Sequence, residues 1–196
     1  TDRSQYTRPC GTHVSMPLGV GQKRGRDEGV RRARCVSYDC ETTQMIPASR
    51  NIASMRISVA CAWSFDAVVY DSQPDKLHFK DHSSLAVWVG LGDSIEKLMH
   101  VLEDAEVVLA YNSEFDATVV QADLARVVGA EQAESRMQAL RHRTFDPMTW
   151  IFAREGRRFK LDTLLTINNL GSKLADGEAA VRMWKTRDIQ PLERYC

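Results

Sequence analysis

The sequence predicts an α/β domain built on one mixed sheet with helices packed on its faces. Two patterns point to this: β-prone runs lie close together early in the chain, as in hairpins, and later short apolar runs alternate with segments of helical spacing. A third observation is that acidic residues stand where the predicted strands end. Residues 35–38 (CVSY) form the first β-prone run and stop at Asp39, and residues 52–63 (IASMRISVACAW) form a longer one. Residues 67–70 are expected to return as a hairpin partner. Ile95, Leu98, Met99 and Leu102 recur at helical spacing behind Asp93 or Ser94, either of which suits an N-cap. Residues 106–111 (EVVLAY) have the continuous apolar texture of a buried parallel strand. A helix over residues 115–128 then presents Val119, Leu124, Val127 and Val128 and ends at Gly129. A short strand at 144–146 and helices at 147–154, 161–170 and 177–186 complete the pattern, and Pro191 sits in the first turn of one more helix.

Composition narrows the class of protein. Of 196 residues, 43% are hydrophobic and 27% charged, with a formal net charge of zero, which fits a soluble globular domain and excludes a fibrous or disordered chain. No apolar run approaches the ~20 residues that cross a bilayer, so no membrane partner is expected. The five cysteines are odd in number and contain no Cys-x-x-Cys pair, which argues against a disulfide framework and for a reducing, intracellular compartment. Residues 1–34 differ from the rest. Arg3, Arg8, Lys23, Arg24, Arg26, Arg31, Arg32 and Arg34 face only Asp2, Asp27 and Glu28 among scattered Gly and Pro, so this segment reads as a disordered basic arm with affinity for a polyanion. The same composition suits an organelle transit peptide, and the sequence leaves the two open. Residues 35–196 form the folded domain.

The candidate chemistry lies at the strand ends. Asp39 and Glu41 are two apart on a strand, so their side chains share a face, and paired carboxylates are what hard divalent cations bind. Asp116 opens the helix that follows the 106–111 strand. In α/β sheets such strand ends gather at one rim, where sites form. By itself Asp-x-Glu is a common solvated strand end.

The surrounding residues are more specific. Val36-Ser37-Tyr38-Asp39-Cys40-Glu41-Thr42-Thr43 resembles the first motif of the DEDD (DnaQ-like) exonucleases, and Tyr111-Asn112-Ser113-Glu114-Phe115-Asp116 resembles the second. Phe159-Lys160-Leu161-Asp162-Thr163-Leu164 is similar to the segment ahead of the third motif, and Leu192-Glu193-Arg194-Tyr195-Cys196 to its beginning. In the tyrosine subgroup that motif reads Tyr-x-x-x-Asp, and the place of its Asp falls three residues after Cys196, so the domain reads as truncated before its last carboxylate.

The resemblance implies a ribonuclease H-like α/β fold, a mixed five-stranded sheet with helices on both faces. It implies a metal-dependent 3′–5′ exonuclease that hydrolyses phosphodiester bonds at single-stranded DNA or RNA ends with two divalent metal ions, Mg²⁺ or Mn²⁺. Asp39 would bridge the ions, Glu41 would hold the one on the water side, and Asp116 would help hold the one on the leaving-group side. Tyr195 would orient the water or help deprotonate it. Thr42 would meet the terminal nucleotide, Asn112 could contact the scissile strand and Phe115 could stack on a base, although a turn hydroxyl, a helix cap and a core ring are the plainer readings of these three. Asp146 and Asp162 read first as helix caps, with Asp146 the fallback for a fourth ligand. Arg141, Arg143, Arg154, Arg157, Arg158 and Lys160 form the most basic stretch of the folded part and suit either phosphates or solvent. Two alternatives stand beside the exonuclease: a catalytically impaired module that binds nucleic acid or a protein partner, and one domain of a larger replication or processing polypeptide.

Overall fold

The computed structural model describes residues 30–70, 73–79, 83–90, 92–173 and 176–196. Among these it contains six strands, β1 (Val30–Thr42), β2 (Ile57–Tyr70), β3 (Gln73–Phe79), β4 (Ser84–Val89), β5 (Val107–Leu109) and β6 (Thr144–Phe145). Seven α-helices accompany them: α1 (Ile95–Glu103), α2 (Ser113–Val128), α3 (Ala130–Arg141), α4 (Pro147–Glu155), α5 (Leu161–Ile167), α6 (Gly177–Thr186) and α7 (Ile189–Tyr195). The basic arm lies outside the described residues except for 30–34, which the sequence assigns to the arm and which are instead the first part of β1. Among the described residues no helix is long and apolar enough to cross a membrane.

The sheet is mixed. β2 pairs antiparallel with β1 over nearly its whole length, β3 and β4 pair antiparallel with successive parts of β2, and β5 and β6 add in parallel beyond β1. Because β1 occupies one edge of β2 from Ile57 to Tyr70, β3 and β4 must share the other edge. The sheet is therefore five strands wide although it holds six. Residues 67–70, expected as a hairpin partner, continue β2, and the partner is β3. Nothing between Trp63 and Tyr70 stops the chain: Ser64-Phe65-Asp66 lacks Gly and Pro, and Phe65 keeps the alternation into Ala67.

Alternation along β1 and β2 assigns the faces. Val36, Tyr38 and Cys40 of β1 and Ala60 and Ala62 of β2 point to one side, where Leu98, Met99 and Leu102 of α1, Val119, Val120 and Leu124 of α2, and Met137 and Leu140 of α3 cover them. Removing a side chain such as Leu98 from water contributes about 1.5–3 kcal/mol, so these three helices hold that face. Val59 points to the other side and is sealed by Ala180 of α6 and Leu192 of α7. Farther along the same face, Ala33, Cys35, Phe65 and Ala67 form a smaller cluster with Val107 and Leu109. Helices thus lie on both faces.

The helix α3 has no counterpart in the sequence reading. Its buried apolar stripe is only Ala133, Met137 and Leu140, and apart from the exposed Ala130 and Ala139 the rest is polar. Strong helix formers, Ala, Glu, Gln, Arg and Met, were the available signal.

Candidate active site

β1, β5 and β6 run parallel, so their C-terminal ends open on one rim of the sheet. From that rim come Asp39 and Glu41 at the end of β1, the turn leading into α2 with Asp116, and Asp146 after β6. A register shift between Glu41 and Thr42 bulges β1 beside the carboxylates, the kind of irregularity that re-aims side chains at a strand end.

Asp39 and Glu41 project to the α6 and α7 side. Asp39 stays open to solvent and Glu41 is half-buried. The N-terminus of α6 closes on Glu41: a Cβ at Gly177 would stand 3.7 Å from Glu41 Oε2. Asp176 caps α6 by accepting from the Ala179 N–H at 3.0 Å, which fixes that approach. The helix α7 is anchored beside β1 and β2, with Cys61 Sγ donating to the Cys196 carbonyl (2.9 Å) and Cys196 Sγ to the Asp39 carbonyl (3.8 Å). That anchorage brings the Tyr195 hydroxyl to Glu41, to which it hydrogen-bonds.

Asp116 reaches the rim from the first turn of α2. It is buried, and its Oδ1 accepts from the Cys40 N–H (3.2 Å) and the Cys40 thiol (3.0 Å), which puts it against the link between Asp39 and Glu41. The four residues come from three separate stretches of chain, and the fold brings them together.

Charge is in excess here. Burial pushes the Asp116 carboxyl up to about 7, helped by the negative charges of Asp39 and Glu41 and restrained by the Cys40 donors. Burial pushes Glu41 up to about 7, with Asp39 adding to it and Lys173 and the Tyr195 hydroxyl pulling it down. Asp39 is raised by the protein that walls it, against Lys173 and the Cys40 N–H. Burial and the nearby carboxylates push the Tyr195 phenol above its ordinary 10, so it stays protonated at neutral pH.

A second buried carboxylate shows what a structural one looks like. Asp123 accepts from the Ile57 N–H at 2.8 Å and pairs with Arg56 at 2.8 Å and with Arg126. Its charge is met on several sides, and it ties α2 to the start of β2. Asp116 receives the uncharged Cys40 N–H and thiol and faces other acids. A carboxylate held in that condition is a candidate for binding a cation or a proton.

The remaining site residues divide. Thr42 is buried and its hydroxyl donates to the Gln44 carbonyl at 2.8 Å, the turn role. Phe115 packs against the main core, the packing role. Asn112 occupies the N-cap position of α2 with φ of 62°, a left-handed conformation that Asn tolerates, but its exposed side chain makes no capping hydrogen bond. The capping expected of it falls to Asp146, which accepts from the Asn112 and Ser113 N–H groups, each at 3.0 Å, and from Met148 N–H of its own helix at 2.9 Å. Both oxygens of Asp146 are engaged, so its role as a cap stands. Asp162, expected as a cap, instead lies inside the first turn of α5, where its Oδ1 accepts from the Lys173 N–H at 2.9 Å. Lys173, with its influence on Asp39 and Glu41, was not foreseeable, because a single Lys in a Gly-Ser-Lys loop carries no motif.

Among the described residues no group of three or more His, Cys, Asp or Glu side chains is disposed to hold a metal ion. Part of each ligand is turned inward: Asp116 Oδ1 to Cys40 and Glu41 to Tyr195. The donor set, three hard carboxylates with mutual repulsion, is nonetheless the chemistry that Mg²⁺ or Mn²⁺ takes. No protein-family model matches this chain, and no curated protein matches it.

Proposed function

We propose that this chain carries the core of a metal-dependent 3′–5′ exonuclease of the DEDD (DnaQ-like) type on a ribonuclease H-like fold, acting on single-stranded ends of DNA or RNA. The observation that carries the reading is the meeting of Asp39, Glu41, Asp116 and Tyr195 at one rim with more negative charge than the protein neutralises. Asp39, Glu41 and Asp116 are the residues to hold two divalent ions, which when bound supply Lewis-acid stabilisation of the attacking and departing oxygens in a phosphoryl displacement. Tyr195, protonated and donating to Glu41, acts as an orienting donor rather than a base. Asn112, exposed at the N-cap of the helix that carries Asp116, is the best placed of the three nucleic-acid contacts suggested by the sequence. Thr42 retains only acceptor capacity, and the Phe115 ring belongs to the core.

A second reading is an impaired module that binds nucleic acid or a partner without cleaving. It is favoured by the inward engagement of Asp116 with Cys40 and of Glu41 with Tyr195. Degradation of a 5′-labelled single strand by this chain with Mg²⁺, Mn²⁺ or EDTA decides between them. The exonuclease reading expects a metal-dependent ladder that Asp39→Ala abolishes. Binding without cleavage would leave the impaired module.

A further inference from the structure

The end of α4 and the turn after it carry an arrangement that the carboxylate site does not use. Arg154, Arg157, Arg158 and Lys160 fall within seven residues and Glu155 is the only acid among them. All four are exposed. Three of them lie on aromatic rings: Arg154 over Trp150 with its guanidinium carbon 4.9 Å from the ring centroid, Arg157 over Phe159 at 4.9 Å, and Arg158 over Phe152 at 5.4 Å. Stacking restricts the flexible arginine side chains, so less entropy is lost when each guanidinium takes a phosphate oxygen pair. Phe152 remains 44% exposed, which is unusual for a ring with a core within reach and leaves part of it open to a base.

The patch connects to the site by two routes. Trp150 walls a cleft of about 430 Å³ lined also by Phe145, Asp146, Ser113, Tyr38 and Ala117, which reaches the first turns of α2, the helix that carries Asp116, on the face of the sheet opposite Asp39 and Glu41. On the other side, the Tyr111 hydroxyl at the end of β5 donates to the Phe159 carbonyl at 2.5 Å, which pins the basic turn to the rim. The turn then leads into α5, where Asp162 holds the Lys173 backbone.

We propose that this arginine–aromatic ladder is the docking surface for the single strand on the 5′ side of its reacting end, with Arg154, Arg157, Arg158 and Lys160 on successive phosphates. The occupant follows from charge complementarity and from continuity with the carboxylate rim, and the assignment rests on the exonuclease reading. A lipid or protein surface would not need planar cations laid on rings in a turn pinned to the rim that, on the exonuclease reading, takes the reacting phosphate.

The test is fluorescence anisotropy of labelled dT15 and rU15 in EDTA, where no turnover occurs, across a salt series with the full chain. Each phosphate contact on a single strand contributes about 0.7 to the slope of log affinity against log salt. Arg157→Gln with Arg158→Gln is expected to make the slope shallower by about 1.4 and to weaken binding on the order of 10-fold at low salt. Arg157→Lys with Arg158→Lys is expected to restore the slope but only part of the affinity, because lysine keeps the charge without the stacked guanidinium fork, and the thermal midpoints of both pairs should match the parent's. An unchanged affinity and slope in the Gln pair would overturn the proposal. So would a Lys pair as weak as the Gln pair, because the loss would then come from packing and not from charge. Because binding is read without metal, a parent that binds but does not cleave would count against the exonuclease reading alone. The DNA and RNA arms show which strand the ladder prefers.

Discussion

Asp116→Asn removes the most crowded charge at the rim while keeping its shape. Asp116 is 4% exposed, and its carboxyl is pushed from an ordinary 3.8 to about 7 by burial first and by Asp39 and Glu41 second. At about 1.4 kcal/mol for each unit of pKa, keeping it ionised in the folded, metal-free chain costs roughly 4 kcal/mol near pH 8. The folded value lies above the unfolded one, so this group's contribution is fully present below about pH 4 and is lost as the pH rises through about 7. Asparagine retains an Oδ1 to accept the Cys40 N–H, now at 3.2 Å, and carries no charge. The variant in EDTA is therefore expected to exceed the parent's stability near pH 8 by about 2–4 kcal/mol, the lower figure allowing for water penetration and relaxation. That corresponds to a midpoint higher by roughly 4–16 °C. The gain should shrink toward zero near pH 4. Urea and thermal denaturation at the two pH values measure it, and Mn²⁺ should narrow the gap by stabilising the parent more. A gain of the same size at both pH values, or a loss near pH 8, would refute the argument that ionised Asp116 is an uncompensated charge.

Two further substitutions probe neighbouring links. Tyr195→Phe removes a donor that holds Glu41 down, so in the metal-free chain Glu41 should rise further above about 7, and because metal binding needs it ionised, the acid limb of the pH–rate profile should move to higher pH. The accompanying fall in kcat is expected to be about 100-fold or more with KM little changed, and an unmoved limb with unchanged kcat would count against an orienting tyrosine. Asp146→Ala strips acceptors from Asn112, Ser113, Met148 and Thr149 at the starts of two helices. It should destabilise the chain by about 3 kcal/mol in urea titration, with Asp146→Asn recovering part, whereas a loss below about 0.5 kcal/mol would remove Asp146 from its capping role.

Local rules made much of this molecule legible. Strand periodicity puts Asp39 and Glu41 on one face, and that is where they lie. Helical spacing locates α1 and α2, Gly129 ends α2, and the limits of α6 agree with residues 177–186. Where local signal was thin, the reading failed in kind. The strand β3 is short and polar, with Pro74, Asp75 and Lys76 breaking any apolar alternation, β4 spans only six residues, and α3 has a stripe of only three buried side chains. Asn112 has the residue type of a cap and the position of one, yet the cap comes from Asp146 across the rim.

What the sequence determined by itself is the set of local preferences: which segments are extended or helical, which face of each is apolar, and which strand ends carry acids. These depend on neighbours a few residues away. The tertiary structure decided what those acids are. Asp116 meets Cys40 across 76 positions of sequence, Tyr195 reaches Glu41 only because α7 is anchored to β1 and β2, and Lys173 arrives through a loop held by Asp162. The titration of a carboxylate depends on the water removed from it and the charges within a few ångströms, and both are set by packing between distant segments. The sequence can therefore name Asp116 and Asp123 as acids of one helix, while only the fold makes Asp123 a paired anchor and Asp116 a carboxylate poised near neutrality.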